Sequence, residues 1–190
     1  MRVSKDPEIR RQEIIDTARW LFRNKGIRKT SINDVADTIG VAKGLVYYYF
    51  SSKDELVKAV IDDLIKDVHE ELKRIMNCNH SFIQTLTAIL NFYFNSIHNY
   101  LLALTDSPGD SEILHLIRDK LSDVALYYAR NLIDIGIKHG IINIQYPEHI
   151  LKVMIRGVGD LFIDGVTDPK IRARIIEQIL GLEEGSLKLT

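Results

Sequence analysis

The sequence predicts an all-α protein. Apolar residues recur three and four positions apart along most of the chain, which is the periodicity of amphipathic helices. Gly and Pro are sparse and fall at intervals, so the connections between helices are expected to be short. No segment has the strict alternation of apolar and polar residues that is typical of a strand.

Four helices are predicted before residue 77 from their end signals. Asp6 is an N-cap followed by proline at the first helical position, and Gly26 ends the first helix. Ser31 begins the second helix, with Asp34 three residues later as an aspartate version of a capping box, and Gly40 ends it. These signals, with a second capping box at 52–55, predict helices over residues 7–25, 31–39, 42–49 and 52–76.

Four more helices are predicted in the rest of the chain. The first of them carries no charged residue and is apolar over a wide arc, so it is expected to be buried. The segment 106–110 breaks the chain, and the helical pattern that follows leaves open whether it forms one helix or two. With Pro147 and Asp168-Pro169 as later start signals, the predicted helices cover 82–104, 111–139, 147–164 and 168–180, and a frayed tail follows.

The composition and the motif inventory exclude several classes of protein. One cysteine among 190 residues forms no internal disulfide, and with no signal-peptide pattern the chain is expected to be cytoplasmic. The uncharged run 75–105 is too polar for a membrane span, so no membrane partner is expected. The six histidines lack the spacing of a helical metal site, and no catalytic motif is present. We therefore expect no catalytic residue, no metal, no cofactor and no enzymatic activity.

The segment from Thr30 to Lys53 has the layout of a helix-turn-helix. Two short helices meet at a tight turn at Gly40, and Ala36, four residues earlier, is small enough to let them approach closely. In such a motif the second helix enters the major groove of DNA. Two helices this short do not form a stable core alone, so the first helix of the chain is expected to pack against them.

The first helix and this motif together resemble the TetR family of bacterial and archaeal transcriptional regulators. Ala42 and Leu45 depart from the pattern, since many members have a hydroxyl side chain at each position. The matching residues are Ile14, Ala18, Phe22, Gly26, Ser31, Val35, Ala36, Gly40, Val41, Gly44, Tyr47, Phe50, Lys53 and Leu56. The resemblance implies an N-terminal three-helix helix-turn-helix DNA-binding domain (1–53), joined by a long helix to a helical ligand-binding and dimerisation domain (54–182) that a C-terminal tail (183–190) follows.

The function implied by this resemblance is that of a ligand-responsive transcriptional repressor. Such a protein binds a palindromic operator in double-stranded DNA as a homodimer, and a small effector, expected here to be apolar, releases it. Two alternatives stay open. One is an architectural or activating DNA-binding protein without an inducer, and the other is a helical enzyme that carries a helix-turn-helix.

Individual side chains of the motif receive roles from the resemblance and from groove chemistry. Family members anchor phosphates at the positions of Lys53 and Tyr47. Lys43 is placed to bind guanine O6 and N7, Gly44 to let the backbone approach the DNA, and Leu45 to touch a thymine methyl group. The predicted DNA-contacting residues are Ser31, Asn33, Lys43, Gly44, Leu45, Tyr47, Tyr48, Tyr49 and Lys53.

The net charge of −1 conceals a charge asymmetry. Residues 1–53 contain 11 Lys and Arg against 6 Asp and Glu, which gives +5, whereas the other 137 residues contain 14 and 20, which gives −6. A basic N-terminal part is the expected footprint of a DNA-binding domain. Arg2 and Lys5 belong either to a flexible arm along the DNA backbone or to an ordinary disordered terminus.

The C-terminal part is expected to hold the effector site and the dimer interface. An uncharged, aromatic-rich helix suits the wall of an apolar pocket. The predicted ligand-binding residues are Phe82, Leu86, Ile89, Phe92, Tyr93, Ile97, Tyr100, Leu121, Val124 and Tyr128. In the resembled family the last two helices of each subunit form a four-helix bundle, and the alternative is that they only close the subunit's own core. The predicted dimer residues are Met154, Val158, Leu161, Phe162, Ile171, Ile175 and Ile179.

Overall fold

The computed structural model describes residues 6–104 and 111–190; inside these ranges the side chains of residues 98–104, 111, 112, 114 and 163 are not described. The described residues form α-helices and no strand, as predicted. The helices are α1 (Pro7–Lys25), α2 (Ile32–Ile39), α3 (Lys43–Tyr49), α4 (Lys53–Met76), α5 (Phe82–Leu104), α6 (Ser111–Lys138), α7 (Pro147–Ile163) and α8 (Pro169–Leu180).

The predicted end signals act through specific hydrogen bonds. The Asp6 carboxylate accepts a 2.9 Å hydrogen bond from the N–H of Glu8 at the start of α1. At α2 the Ser31 hydroxyl accepts from the Asp34 N–H at 3.1 Å, and the Asp34 carboxylate accepts from the Ser31 N–H at 2.7 Å. The predicted capping box is therefore confirmed. Gly40 ends α2 with φ of 74°, a conformation that glycine adopts without the strain a side chain would impose.

The structure also decides the length of α6. Ser111–Lys138 is one continuous helix, so the pattern that left one or two helices open forms one. The connector predicted at 106–110 lies outside the described residues. In the ranges that are described, no helix is long and apolar enough to cross a membrane.

The chain divides into two compact units. Unit 1 comprises Met1–Lys66 and Asn99–Leu114, and unit 2 comprises Asp67–His98 and His115–Thr190. The division falls inside α4, after Lys66, whereas the domain boundary predicted from the sequence falls after Lys53.

The apolar faces of α1, α2, α3 and the first part of α4 form the core of unit 1. Trp20 lies off the stripe of α1, and its side chain is exposed. The Arg11 guanidinium covers one core ring from outside, 5.1 Å from the centroid of Phe50. The buried residues include Ile14, Ala18, Leu21, Phe22, Val35, Ala36, Val46, Phe50, Leu56 and Val60.

Unit 2 is built from the end of α4, from α5 up to His98, from α6 after Leu114, and from α7 and α8. Its fully buried side chains include Phe94 on α5, Leu121 and Ile133 on α6, and Leu151 on α7. Most of the described side chains of α5 are buried or half-buried, as its wide apolar arc predicted, but Gln84 and Asn95 are exposed. Ile176 and Leu180 of α8 complete the core.

The segment after α8 is ordered against unit 2, so the prediction of a frayed tail is wrong. Leu187 is buried, and its N–H donates a 2.9 Å hydrogen bond to the Glu177 carboxylate. Burial raises the pKa of Glu177, but the N–H groups of Leu187 and Gly185 together with the charge of Arg174 hold the pKa below its ordinary value. The Thr190 N–H donates to the Asn91 side-chain oxygen at 3.0 Å. These long-range contacts are invisible to a pattern of local periodicity.

Candidate DNA-binding surface and ligand pocket

The recognition helix α3 is held by a single deeply buried side chain. Val46 is fully enclosed, with Val35 and Ala36 of α2 also buried. The N–H of Val41 donates to the Ala36 carbonyl oxygen at 2.9 Å and closes the turn between the two helices. Ala42 supplies no side-chain cap to α3, as the missing hydroxyl predicted. Because α3 has only seven residues, packing through Val46 rather than helix propensity must hold it.

The opposite side of α3 is exposed and carries the predicted DNA contacts. Tyr48 is 80% exposed and Tyr47 43% exposed, which is unusual for large aromatic side chains. The Lys43 ammonium lies 5.4 Å above the Tyr47 ring. A Cβ added at Gly44 would meet no atom within 4 Å, so the backbone there is open to a bound molecule. These four residues form one surface, called the α3 surface below.

Tyr49 and Leu45 are less exposed to solvent than the four residues of the α3 surface. Both are half-buried, and the Tyr49 ring meets the Tyr48 ring edge-on at a centroid distance of 5.2 Å. Tyr49 therefore supports the exposed Tyr48 ring, and part of each half-buried side chain still faces outward.

The Ser31 hydroxyl is already hydrogen-bonded within the chain, whereas the Asn33 side chain is exposed. The Ser31 hydroxyl donates to the Asp34 carboxylate, and that carboxylate also accepts from Lys25 at 3.2 Å. A phosphate has only acceptors to offer, so it would compete with Asp34 for the Ser31 donor. Asn33 is exposed at the first turn of α2.

Lys53 is linked to the chain that precedes α2. Its ammonium donates to the backbone carbonyl oxygen of Arg28 at 3.3 Å. The contact fixes a positive charge close to the start of the helix-turn-helix. Arg2 and Lys5, the predicted arm, lie outside the described residues.

Unit 2 contains a small cavity with apolar walls. Its volume is about 40 Å³, and Leu86, Ile89 and Tyr93 of the predicted ligand set line it. Burial raises the pKa of the Tyr93 hydroxyl, which donates a long 3.5 Å hydrogen bond to the Ile155 carbonyl oxygen. The remaining lining residues are Leu90, Phe94, Ala125, Ala129, Leu132, Ile133, Leu151, Met154, Ile155, Val158 and Ile176.

Several predicted ligand residues have other roles. Phe82 packs against the helix backbone at Gly136, where an added Cβ would come within 2.7 Å of the ring. The Tyr128 hydroxyl donates to the His69 carbonyl oxygen at 2.9 Å. Phe92, Ile97, Leu121 and Val124 are buried or half-buried but do not line the cavity, and the Tyr100 side chain lies outside those described.

The predicted dimer residues separate into two groups. Met154, Val158 and Phe162 are buried inside unit 2, so their assignment to a subunit surface is wrong, because the subunit's own helices cover them. Leu161 and Ile171 are exposed, and Ile175 and Ile179 are half-buried.

The periodicity missed Val153, which is 72% exposed. It lies four residues before Gly157 and eight before Leu161 on one face of α7. A Cβ at Gly157 would meet nothing within 4 Å, so this face is open. By contrast, a Cβ at Gly159 would lie 3.0 Å from the Tyr93 hydroxyl, so Gly159 serves the subunit's own packing.

Neither metal nor thiol chemistry has a built site among the described residues. They contain no group of three His, Cys, Asp or Glu side chains that would hold a metal ion. The Cys78 thiol donates to the Arg74 carbonyl oxygen at 3.3 Å.

The described geometry defines an all-helical protein whose N-terminal unit is a helix-turn-helix with an exposed second helix. Residues 14–60 match the sequence model described as bacterial regulatory proteins, tetR family. The resemblance to the TetR family drawn from the sequence is therefore confirmed over these N-terminal residues.

A curated relative matches about half of the chain. The HTH-type transcriptional repressor KstR2 of Mycolicibacterium smegmatis is 28% identical over 93 residues, which cover 49% of this chain and 45% of that protein. The chain thus spans about half the length of the curated relatives it matches first.

Two solved structures share the fold over nearly the whole chain. A transcriptional regulator from Cytophaga hutchinsonii aligns with a TM-score of 0.77 and 17% identity, covering 93% of this chain and 98% of that one. FadR of Bacillus subtilis, solved in complex with stearoyl-CoA, aligns with a TM-score of 0.61 and 19% identity, covering 93% and 99%. At these identities the likeness shows the fold, an N-terminal helix-turn-helix followed by a helical domain.

Proposed function

We propose that this protein is a ligand-responsive transcriptional repressor that binds a palindromic operator as a homodimer and is released by a small apolar molecule. The observation that carries the proposal is the α3 surface. Lys43, Gly44, Tyr47 and Tyr48 are exposed on a helix whose other side is fixed in a core by Val46. Rigid support of an exposed recognition helix is what docking into a major groove requires.

The α3 surface offers different chemistry at its two ends. Lys43 and Gly44 lie in the first turn, which in a helix-turn-helix is the part that contacts base edges. Lys53 lies beyond the other end of α3, where a cation contributes to affinity by contacting phosphate rather than by reading sequence. The division supports a binding mode with Lys43 in the groove and Lys53 on the backbone.

Dimer formation supplies the second half-site. One short recognition helix reads few base pairs, and a symmetric pair reads two half-sites about 34–36 Å apart. The exposed apolar positions Val153 and Leu161 on α7 and Ile171 on α8 are candidates for the contact between two copies. Gly157, between the first two, leaves room for close approach of a partner helix.

The effector lowers DNA affinity because effector binding and DNA binding are thermodynamically linked. A molecule that prefers a conformation with displaced recognition helices lowers DNA affinity by the same coupling free energy. The apolar walls around Leu86, Ile89 and Tyr93 suit an apolar molecule, and the fold is shared with a FadR that was solved with stearoyl-CoA. The cavity of about 40 Å³ is far below the roughly 300 Å³ that small-molecule pockets need. Effector binding must therefore select a form in which α5, α6 and α7 move apart.

Fluorescence anisotropy on operator fragments recovered from a random-sequence pool tests DNA binding. We expect salt-dependent, sequence-specific binding that Tyr47→Ala and Lys53→Ala each weaken by about tenfold, equivalent to about 1.4 kcal/mol. Lys138→Ala removes an exposed cation at the end of α6 and serves as the matched control. Unchanged affinity in both motif variants would contradict the recognition assignment.

One observation favours a second candidate function. The small cavity fits a DNA-binding protein that has no inducer, acting as an architectural protein or as an activator. The same DNA complex separates the two functions when it is challenged with a panel of apolar compounds. Release by any of them supports the repressor, and resistance to the whole panel supports the second candidate.

A further inference from the structure

Arg172, in the first turn of α8, is a buried cation within unit 2. Its side chain is only 4% exposed. The guanidinium carbon lies 4.1 Å from the centroid of the Phe94 ring and 5.1 Å from that of Phe162. Two rings from two other helices therefore enclose the charged group.

The guanidinium is only partly satisfied by the protein. Nη2 donates a 3.1 Å hydrogen bond to the Thr167 carbonyl oxygen. Nε and Nη1 are buried and have no hydrogen-bond partner among the described residues. Of the five N–H donors of an arginine, these two nitrogens carry three. Buried donors without acceptors are rare in proteins and call for a ligand or another partner.

No carboxylate neutralises Arg172 by direct contact in the described structure. Asp168 is the nearest acid in sequence, but its carboxylate caps α8 by accepting the Lys170 N–H at 2.8 Å. Burial lowers the pKa of Arg172, and the distant charge of Asp168 opposes that shift. An anion placed directly on the guanidinium would offset the cost of burying its charge.

Arg172 is one of the residues that line an open pocket in unit 2. It has a volume of about 310 Å³ and is lined by Phe94, Asn95, Phe162, Thr167 and Arg172. Arg172 is the one cation among those lining residues, and the two rings supply apolar wall. The volume reaches the lower end of the range for small-molecule pockets.

We propose that this pocket binds a small organic carboxylate, with the carboxylate on Arg172 and the apolar body against Phe94 and Phe162. A carboxylate is planar and matches the guanidinium fork. Its single negative charge balances the single cation of the lining. A phosphate dianion would leave excess negative charge beside Asp168. The site makes no use of the α3 surface, so it is testable without an operator and stands apart from the repressor proposal.

Ligand-observed NMR and calorimetry on the full chain test the site with named probes. Butanoate, hexanoate and benzoate are each compared with the primary amide of the same acid, which keeps the shape and removes the charge. We expect at least one carboxylate to bind, with its amide about tenfold weaker or more.

Three variants locate the binding. Arg172→Met keeps an apolar stem between the two rings and should abolish carboxylate binding. Asn95→Asp puts a negative charge on an exposed lining residue, so the fold is preserved and binding should fall about tenfold. Lys170→Met removes an exposed cation from the same turn of α8 and should change nothing.

Three outcomes overturn the proposal. They are the absence of binding by every carboxylate, equal binding of acids and amides, and binding that survives both Arg172→Met and Asn95→Asp. Sedimentation of Arg172→Met adds a fourth. If the variant shifts the monomer–dimer balance while no carboxylate binds the wild type, the free donors serve a second copy of the chain instead.

Discussion

A Cβ atom added to Gly136 on α6 would lie 2.7 Å from Cε2 of Phe82 on α5. The ring sits directly on the helix backbone because glycine leaves the space free. Gly136→Ala should gain up to about 1 kcal/mol of helix propensity but lose about 1–3 kcal/mol to overpacking. We expect net destabilisation in urea unfolding. Since leucine is smaller, Phe82→Leu should remove the clash, so the double variant should be more stable than the sum of the single effects. Strict additivity would refute the contact.

The capping box of α2 should make stability depend on pH at the acid end. Hydrogen bonds from the Ser31 hydroxyl and N–H, then from Lys25, lower the pKa of Asp34 from 3.8 to about 2. The folded state therefore prefers the carboxylate, and the unfolded state takes up the proton first as the pH falls. Wild type should be more stable than Asp34→Asn above about pH 4 and lose that advantage towards about pH 2. Urea midpoints measured across this window check the trend. Asp37→Asn, which removes a carboxylate from α2 outside the box, should show no such convergence.

Lys53 should contribute to affinity without contributing to sequence preference. Lys53→Gln should weaken binding to specific and random DNA by similar factors. The slope of log K against log salt should become shallower by about 0.9 for each phosphate that the variant no longer neutralises, and by twice that in a dimer. Anisotropy titrations at several salt concentrations give the slope. Lys58→Gln, an exposed cation on the same helix, is the control. Weaker binding confined to the specific sequence would show that Lys53 reads bases instead.

Substitution of Gly44 should change thermal stability and DNA affinity in opposite directions. Its added Cβ would touch nothing within 4 Å, so Gly44→Ala should raise thermal stability slightly, by up to about 1 kcal/mol. The methyl group lies where the backbone should approach the DNA, so affinity for the operator should drop about tenfold, or about 1.4 kcal/mol. Melting curves and anisotropy on the same preparation provide both values. A variant that binds as tightly as wild type would remove Gly44 from the DNA-contacting set.

The exposed face of α7 should govern the oligomeric state. Val153→Glu places a charge on a side chain that is 72% exposed, so the subunit itself should stay folded. If this face meets a second copy, the charge should convert a dimer to a monomer and weaken operator binding. Light scattering coupled to size exclusion measures the mass. Ile135→Glu on α6, another exposed apolar position, controls for a general surface effect. A wild-type protein that is monomeric at all concentrations would contradict the homodimer.

Helix ends are predictable because their causes are local. Asp6, Ser31 and Asp168 cap helices through hydrogen bonds to residues two or three positions away, and Gly40 ends α2 through its own φ. The helix-turn-helix is predictable for a related reason, since Ala36 and Gly40 must hold fixed places around a short turn. A few neighbouring residues are sufficient evidence for such features.

The effector site and the interface are less predictable because periodicity shows that a residue is apolar but not which helix covers it. Met154 and Val158 share the apolar face of α7, which suggested a dimer contact, yet α5 and α6 cover them within the subunit and they line the cavity. Val153 is missed by the periodicity because it lies off that face. For the same reason Phe82 is predicted in a pocket wall, whereas it packs on Gly136.

By itself, the sequence determined the all-helical architecture, the helix ends and the exposed recognition helix, because short-range geometry fixes each of them. Only the tertiary structure decided the order of the C-terminal segment, the small size of the apolar cavity and the burial of Arg172. An arginine in an amphipathic pattern is expected in solvent. Phe94 and Phe162, from two other helices, enclose it instead, and the free energy of a buried charge depends on neighbours that only the fold brings together.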